Sequence, residues 1–360
     1  MSIVHNSTDF FNPWETLIDC MMVEKKHPNA SKMLCEASKA LGSLLAYVFP
    51  FVGTLSLITN SIVAIIFLYS VPQHNRQFMF LGTLALSDIG ICIIVGWLRL
   101  FPTYGLPYAS LGTIYYFILT RSSISCKSVT FLQAFTTSLR GNVLLVMAID
   151  RFILIYKPLV YKKLTKFSTR ILMIAVLIIT FLTALPVGLF IDMTLVYQLS
   201  MCWFILFDDI IVAYQVLFTN TCVVQLSLAA LLDAFFLMKL VKWSQNSHHV
   251  SRMNPSENKQ ISSTVTLLVL QIFSFLSALP CGIGLLLTIS LDPTSNDLPV
   301  GFVRLLRIIL NIGWILIFTQ SSLNIFLYFA RINKFRHVIM KMSASQLNRI
   351  SGTSTQYSGS

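Results

Sequence analysis

Seven long apolar stretches divide the chain, separated by short polar segments. Leu41 to Val71 carries no charge, and Phe78 to Leu98 carries only Asp88. Cys126 to Ile149 carries Lys127 at its edge and Arg140 inside. Ile171 to Ile191, Ile210 to Leu232, Ile261 to Leu291 and Ile308 to Ala330 carry none. Each meets the length of about 20 residues that a helix needs to cross the hydrocarbon of a bilayer. An eighth stretch, Leu100 to Thr120, is also uncharged but contains Pro102, Gly105, Pro107 and Gly112, which interrupt helices. After the seventh stretch, residues 333–340 alternate basic and apolar side chains at helical spacing, as in a short amphipathic helix lying on a membrane surface. The pattern predicts an all-α fold: a seven-transmembrane helix bundle with a short amphipathic eighth helix.

The distribution of charge selects seven spans over eight. With seven, segments 72–77, 151–170, 239–260 and 331–360 share one side. They hold sixteen Lys or Arg, and that face has two acids, Glu257 within the segments and Asp150 at their border. The other side holds nine basic residues and ten acids. An eighth span would scatter the basic segments over both faces, against the positive-inside rule. Leu100–Thr120 is therefore read as an extended apolar outer loop, and the N-terminus is expected outside. The expected organisation is an extracellular arm over 1–40, the seven-transmembrane bundle over 41–331, the amphipathic helix over 332–342 and a disordered, Ser- and Thr-rich cytoplasmic tail over 343–360. The first span is expected to act as the membrane signal.

Composition agrees. The chain is 55% hydrophobic and 11% charged, with a mean hydropathy of +0.74, where a soluble domain carries about 25% charged residues. The net charge of +12 would suit nucleic acid, but its sorting to one face makes the lipid bilayer the expected partner and excludes nucleic acid. No nucleophile–base set, metal-ligand cluster or phosphate loop lies on a soluble face, so neither an enzyme nor a cofactor is expected. Asn6-Ser7-Thr8 and Asn29-Ala30-Ser31 are glycosylation sequons in the outer arm. Cys126 and Cys202 flank the outer ends of the third and fifth spans, where an oxidising compartment permits a disulfide. Cys20 and Cys35 can form a second. Cys92, Cys222 and Cys281 fall within spans and read as small buried hydrophobes.

The decisive motif is Asp150-Arg151-Phe152. It stands 25 residues after Cys126, about 37 Å of helix, or one bilayer with its interfaces. Around it are Gly53 and Asn60 in the first span, Leu84-Ala85-Leu86-Ser87-Asp88 in the second, and Tyr156-Lys157-Pro158-Leu159 after the third. Pro280 lies in the sixth span, and Asn324-Ile325-Phe326-Leu327-Tyr328 in the seventh with Phe335-Arg336 after it. This ordered set resembles the rhodopsin-like, class A, G-protein-coupled receptors over about residues 41–340, and within them a divergent member of the invertebrate neuropeptide type. The resemblance implies a plasma-membrane receptor that couples an extracellular ligand to a heterotrimeric G protein. It implies that Arg151 is freed on activation, that Pro280 lets the sixth helix swing, and that Asn324 and Tyr328 repack against the third.

Departures from the family are informative. The fourth span lacks the family tryptophan. No proline lies between Pro186 and Pro255, so the fifth span is expected to lack its kink. Ala278 replaces the sixth-span tryptophan, and Ile325 the seventh-span proline. Gln133 stands where amine receptors carry an aspartate, and Phe318 where light receptors carry a lysine. Asp88 and Arg140 both fall near mid-depth, where charges are costly and usually functional. They are expected to pair, the guanidinium replacing the sodium ion of the family, with Asn60, Asn324 and Ser321 nearby. Asp150 and Arg151 are expected to pair at rest. Gln260 occupies the family's acidic position on the sixth helix, leaving Asp233 or Glu257 as substitutes. Asp192, Asp208 and Asp209 on the outer rim, with Arg99, Arg304 and Arg307 opposite, suit a peptide ligand. Gln133, Trp97, Trp203, Gln215, Asn311 and Trp314 are the candidate pocket residues, Trp97 and Trp203 serving equally well as interfacial anchors. The competing readings are a chemosensory receptor for small molecules on the same fold and, further off, a transporter.

Overall fold

The computed structural model describes residues 14–28, 30–70, 76–164, 169–196, 199–205, 208–245, 255–290 and 300–341. The sequons at Asn6 and Asn29 and the tail beyond 341 lie outside them, as do the side chains of Asp208, Asp209, Glu257 and Gln260. Six helices are long and apolar enough to cross a membrane. The third span, Ser123–Tyr156, carries more charge and completes the seven.

The first span begins earlier than the apolar run, at Lys32, and continues to Tyr69. Ser31 caps it by accepting from the Leu34 N–H, and Leu34, Cys35, Ser38 and Leu41 face inward. Further along, Phe51, Leu55, Ile58, Ile62 and Ile65 form an exposed stripe at spacings of three and four. That stripe suits lipid. The opposite face buries Ser56, Thr59, Asn60 and Val63, small and polar groups of the sort that pack helices together in a bilayer.

The second span corrects one expectation. It runs from Arg76 to Ala109, straight through Pro102 and Gly105, so the first half of the loop read at Leu100–Thr120 is helix, down to Ala109. Pro102 is tolerated because Cys92–Gly105 is wound with wider turns. An i→i+5 ladder relieves the clash and the missing donor that would break an α-helix. The chain finally turns at Leu111 and Gly112, both at positive φ. A Cβ on Gly112 would meet the Trp14 ring at 2.9 Å.

The third span opens on a reciprocal capping box between Ser122 and Ser125. It packs against the second, fourth and fifth spans. The fourth, Thr169–Phe190, leads into an antiparallel hairpin of β1 (Ile191–Val196) and β2 (Leu199–Phe204), with Met193 opposite Cys202. The sixth, Pro255–Ser290, packs on the seventh, Val300–Arg331. After Ile332 a helix follows over 333–341; its Phe335 is fully buried against Phe67 and Tyr328.

The fifth span corrects a second expectation. It is broken without a proline. Asp208–Tyr214 continues as wide turns over Gln215–Asn220, the backbone reverses hand at Cys222 with φ 52, and a new helix runs over Val223–Gln245. Side chains take over the released carbonyls. Thr137 donates to Thr219 O, Ser138 and Gln225 to Phe218 O at 3.3 and 2.9 Å, and Thr221 to Val216 O at 2.8 Å. Broken backbone within a membrane persists only under such compensation.

Candidate functional site

Two disulfides organise one end of the bundle. Cys126–Cys202 ties the third span to β2, and Cys20–Cys35 ties the arm helix Ile18–Glu24 to the start of the first span. The arm is held further by ion pairs to the seventh span, from Asp19 in the helix to Arg304 at 2.8 Å and from Glu15 just before it to Arg307 at 3.1 Å. Ser38 donates to Asp19 at 2.6 Å. Burial raises the Glu15 carboxyl above its usual range, against the pull of Arg307. On β1, Asp192 takes Lys127 at 2.8 Å and the Ser123 hydroxyl. These bonds, Lys127 first, hold its carboxyl down to about 2.

At mid-depth, Arg140 Nε meets Asp88 Oδ1 at 2.9 Å, both side chains almost fully buried. The expected pair is present, with a neighbour that sequence reasoning missed. Arg140 Nη2 donates to Gln320 Oε1 at 2.7 Å, and Gln320 passes the chain to Asn324 at 2.6 Å. Asn60 donates to Ser321 at 2.7 Å, beside Ser56. The network links the first, second, third and seventh spans.

At the far end the expected Asp150–Arg151 pair does not form. Consecutive helical residues point roughly 100° apart and do not face each other. Asp150 turns to the second span and takes Arg76 at 3.4 Å and the Tyr161 hydroxyl at 3.5 Å. Burial, then Asp150, pushes the Tyr161 phenol up to about 12. Arg151, 1% exposed, turns to the fifth span and meets Asp233 at 3.2 Å. Its Nε also donates to Met147 O at 3.0 Å. The sixth span reaches the third by a neutral bond instead, Gln271 to Leu144 O at 2.7 Å. Pro280 sits inside the sixth helix. Tyr328 is buried edge-on to Phe67 and Phe335.

A covalently tied end, a polar network at mid-depth and a buried arginine at the opposite end occur here on seven helices in order. The family model described as 7 transmembrane receptor (rhodopsin family) matches residues 59–328. The chain belongs to the rhodopsin family of seven-transmembrane receptors. A comparison with curated proteins returns no match. As a member of the family the receptor is a multi-pass membrane protein that signals through heterotrimeric G proteins, and it is not an enzyme.

The receptor's candidate ligand residues scatter. Gln133 and Asn311 are buried. Gln133 accepts from Arg99 at 2.8 Å and donates to Asn220 at 3.1 Å. Gln215 begins the wide turns of the fifth span, its carbonyl accepting from Thr219 at 2.8 Å. Trp314 stacks on Phe318 and lines a mid-bundle cavity with Arg140, Asn220, Cys222 and Cys281. Trp97 packs among Phe49 and Phe101. Trp203 lies on β2 opposite Asp192. A second cavity lies among Glu15, Asp19, Tyr104, Arg304 and Asn311. Each has a free volume of about 20 Å³, room for a water molecule and not for a drug-sized ligand. Cys92, Cys222 and Cys281 are free and buried.

Proposed function

We propose that this receptor presents its N-terminal arm to the extracellular side and responds to a peptide. The sorting of basic residues to the Arg151 side supports the orientation. An arm helix, a hairpin and two disulfides gathered at one end, over cavities of water size, support a ligand that engages a broad surface. In this reading Arg140 stands permanently where a sodium ion sits in relatives, Gln133, Trp203 and Asn311 lie beneath the ligand, and Asn6 and Asn29 carry glycans.

The observation that carries the activation reading is the buried Arg151–Asp233 pair. It joins the third span to the half of the fifth that follows the break at Cys222. A ligand that favours the separated arrangement pays out no net work on the pair alone; it must bind that state more tightly than the resting one. Freed Arg151 then meets the G protein, while Pro280 lets the sixth helix yield and Asn324 and Tyr328 repack. G-protein dissociation in cells tests this. Arg151→Ala should abolish it at unchanged surface expression, and Asp233→Asn should raise basal signalling. Basal signalling that stays flat in Asp233→Asn would remove Asp233 as the resting partner.

A further inference from the structure

The arginines inside this bundle are paired with acids, with one exception among the described residues. Arg76 meets Asp150, Arg140 meets Asp88, Arg151 meets Asp233, Arg304 meets Asp19 and Arg307 meets Glu15, at 2.8–3.4 Å. Arg99 meets no carboxylate among the described residues. It sits on the second span eleven residues past Asp88, toward the disulfide end, and keeps part of its surface open. Its contact is Nη1 donating to Gln133 Oε1 at 2.8 Å, and Gln133 in turn donates to Asn220 at 3.1 Å.

An uncompensated guanidinium at membrane depth is costly and marks a functional group. Gln133 uses one of its five donors. The remaining fork matches a carboxylate, which can accept two parallel N–H bonds. We infer that Arg99 is the docking point for a carboxylate-bearing ligand, with the Gln133 amide beside it. The inference rests on the receptor reading and narrows it. One guanidinium balances one negative charge; a phosphate group brings close to two, and the neighbouring Arg304 and Arg307 are already neutralised by the arm. The site is also placed to be heard. Asn220 is the last residue of the wide turns, two before the break at Cys222, and beyond the break that span carries Asp233. A ligand that draws on Arg99 loosens the Arg99–Gln133–Asn220 chain and so acts on the element that holds Arg151.

The test is a binding measurement on the purified full-length receptor in lipid nanodiscs, read as thermal stabilisation. The probes are two matched sets: straight-chain monocarboxylic acids with their primary amides, and short peptides with free and amidated C-termini. Acid members should stabilise the protein where their amides do not. Arg99→Gln should weaken acid binding about tenfold or more. Gln133→Glu, which supplies an internal carboxylate, should do the same while leaving folding intact. A response confined to peptides or to small acids identifies the source of the carboxylate. Equal stabilisation by acids and amides, an Arg99→Gln protein that binds acids like the parent, or no stabilisation by either acid set would overturn the inference. Coupling is scored apart. Acid binding without any Arg151-dependent G-protein release sinks the coupling through Asn220 to Asp233 and leaves the anion site standing.

Discussion

Removing Asp88 exposes what the mid-depth network contributes. In Asp88→Asn the Arg140 guanidinium, 7% exposed, keeps Gln320 and loses its counter-charge. Breaking one side of a buried pair costs about 3–5 kcal/mol, because the charge left behind is unpaired. At about 2 °C per kcal/mol for a chain of this size, the midpoint should fall by roughly 6–10 °C. Arg140→Met should fall by a similar amount. The double variant should recover most of the loss, giving a coupling energy of about 2 kcal/mol or more. The protein carries its own reporter: Cys92, Cys222 and Cys281 are free and buried, so a thiol-reactive fluorophore signals unfolding. Sodium adds a second readout. The parent should unfold alike in sodium and choline chloride. Arg140→Met, with Asp88 left bare, should gain about 1.4 kcal/mol at 100 mM sodium for an affinity on the order of 10 mM. Strict additivity of the two substitutions, or sodium stabilisation of the parent, would refute the argument.

Three other outcomes follow from the packing. Gly313→Ala should cost about 1–3 kcal/mol, since its Cβ would lie 2.6 Å from Cys281 N and must push the sixth and seventh spans apart; the same thiol assay reads it. Thr137→Val keeps the shape but leaves the Thr219 carbonyl at the break with only the weak Cys222 thiol donor at 3.6 Å, a loss of about 1 kcal/mol by the same assay. The Asp192 carboxyl is depressed to about 2 by Lys127, Ser123 and the Met193 N–H. Its contribution is therefore complete above the unfolded value of about 3.9 and fades as pH falls toward 2. Exchange protection at the hairpin amides, taken relative to the intrinsic rate at each pH, should stay flat from neutral pH to about 4 and fall below it, and Asp192→Asn should remove that dependence.

Much of the Asp88–Arg140 pair was legible because two charges at equal depth in adjacent spans have few alternatives to each other. Gln320 was not, since an uncharged side chain in an apolar run carries no electrostatic demand that a reader can balance. The helical second span past Pro102 was misread for a related reason. Proline forbids an α-helical turn, but the wider turns that accommodate it are chosen by packing around Leu100, Pro102 and Gly105, all buried. Nothing in the fifth span announces its break. Cys222 reverses hand because Thr137 and Ser138 of the third span donate to the carbonyls of Thr219 and Phe218, and because Gly141 lets it approach closely, a Cβ on Gly141 lying 2.8 Å from Cys222 Sγ.

Hydrophobic run length and the sorting of charge, properties of the chain alone, determined that seven helices cross a bilayer and which motif lies at which end. Local chemistry decided those because water and lipid act on each segment independently. Which way Asp150 and Arg151 point, which acid holds the arginine, and which arginine is left without one were decided only when the helices packed. Helix rotation, set by neighbours distant in sequence, assigns each side chain its partner. A one-residue step along a helix turns a charge from the second span to the fifth.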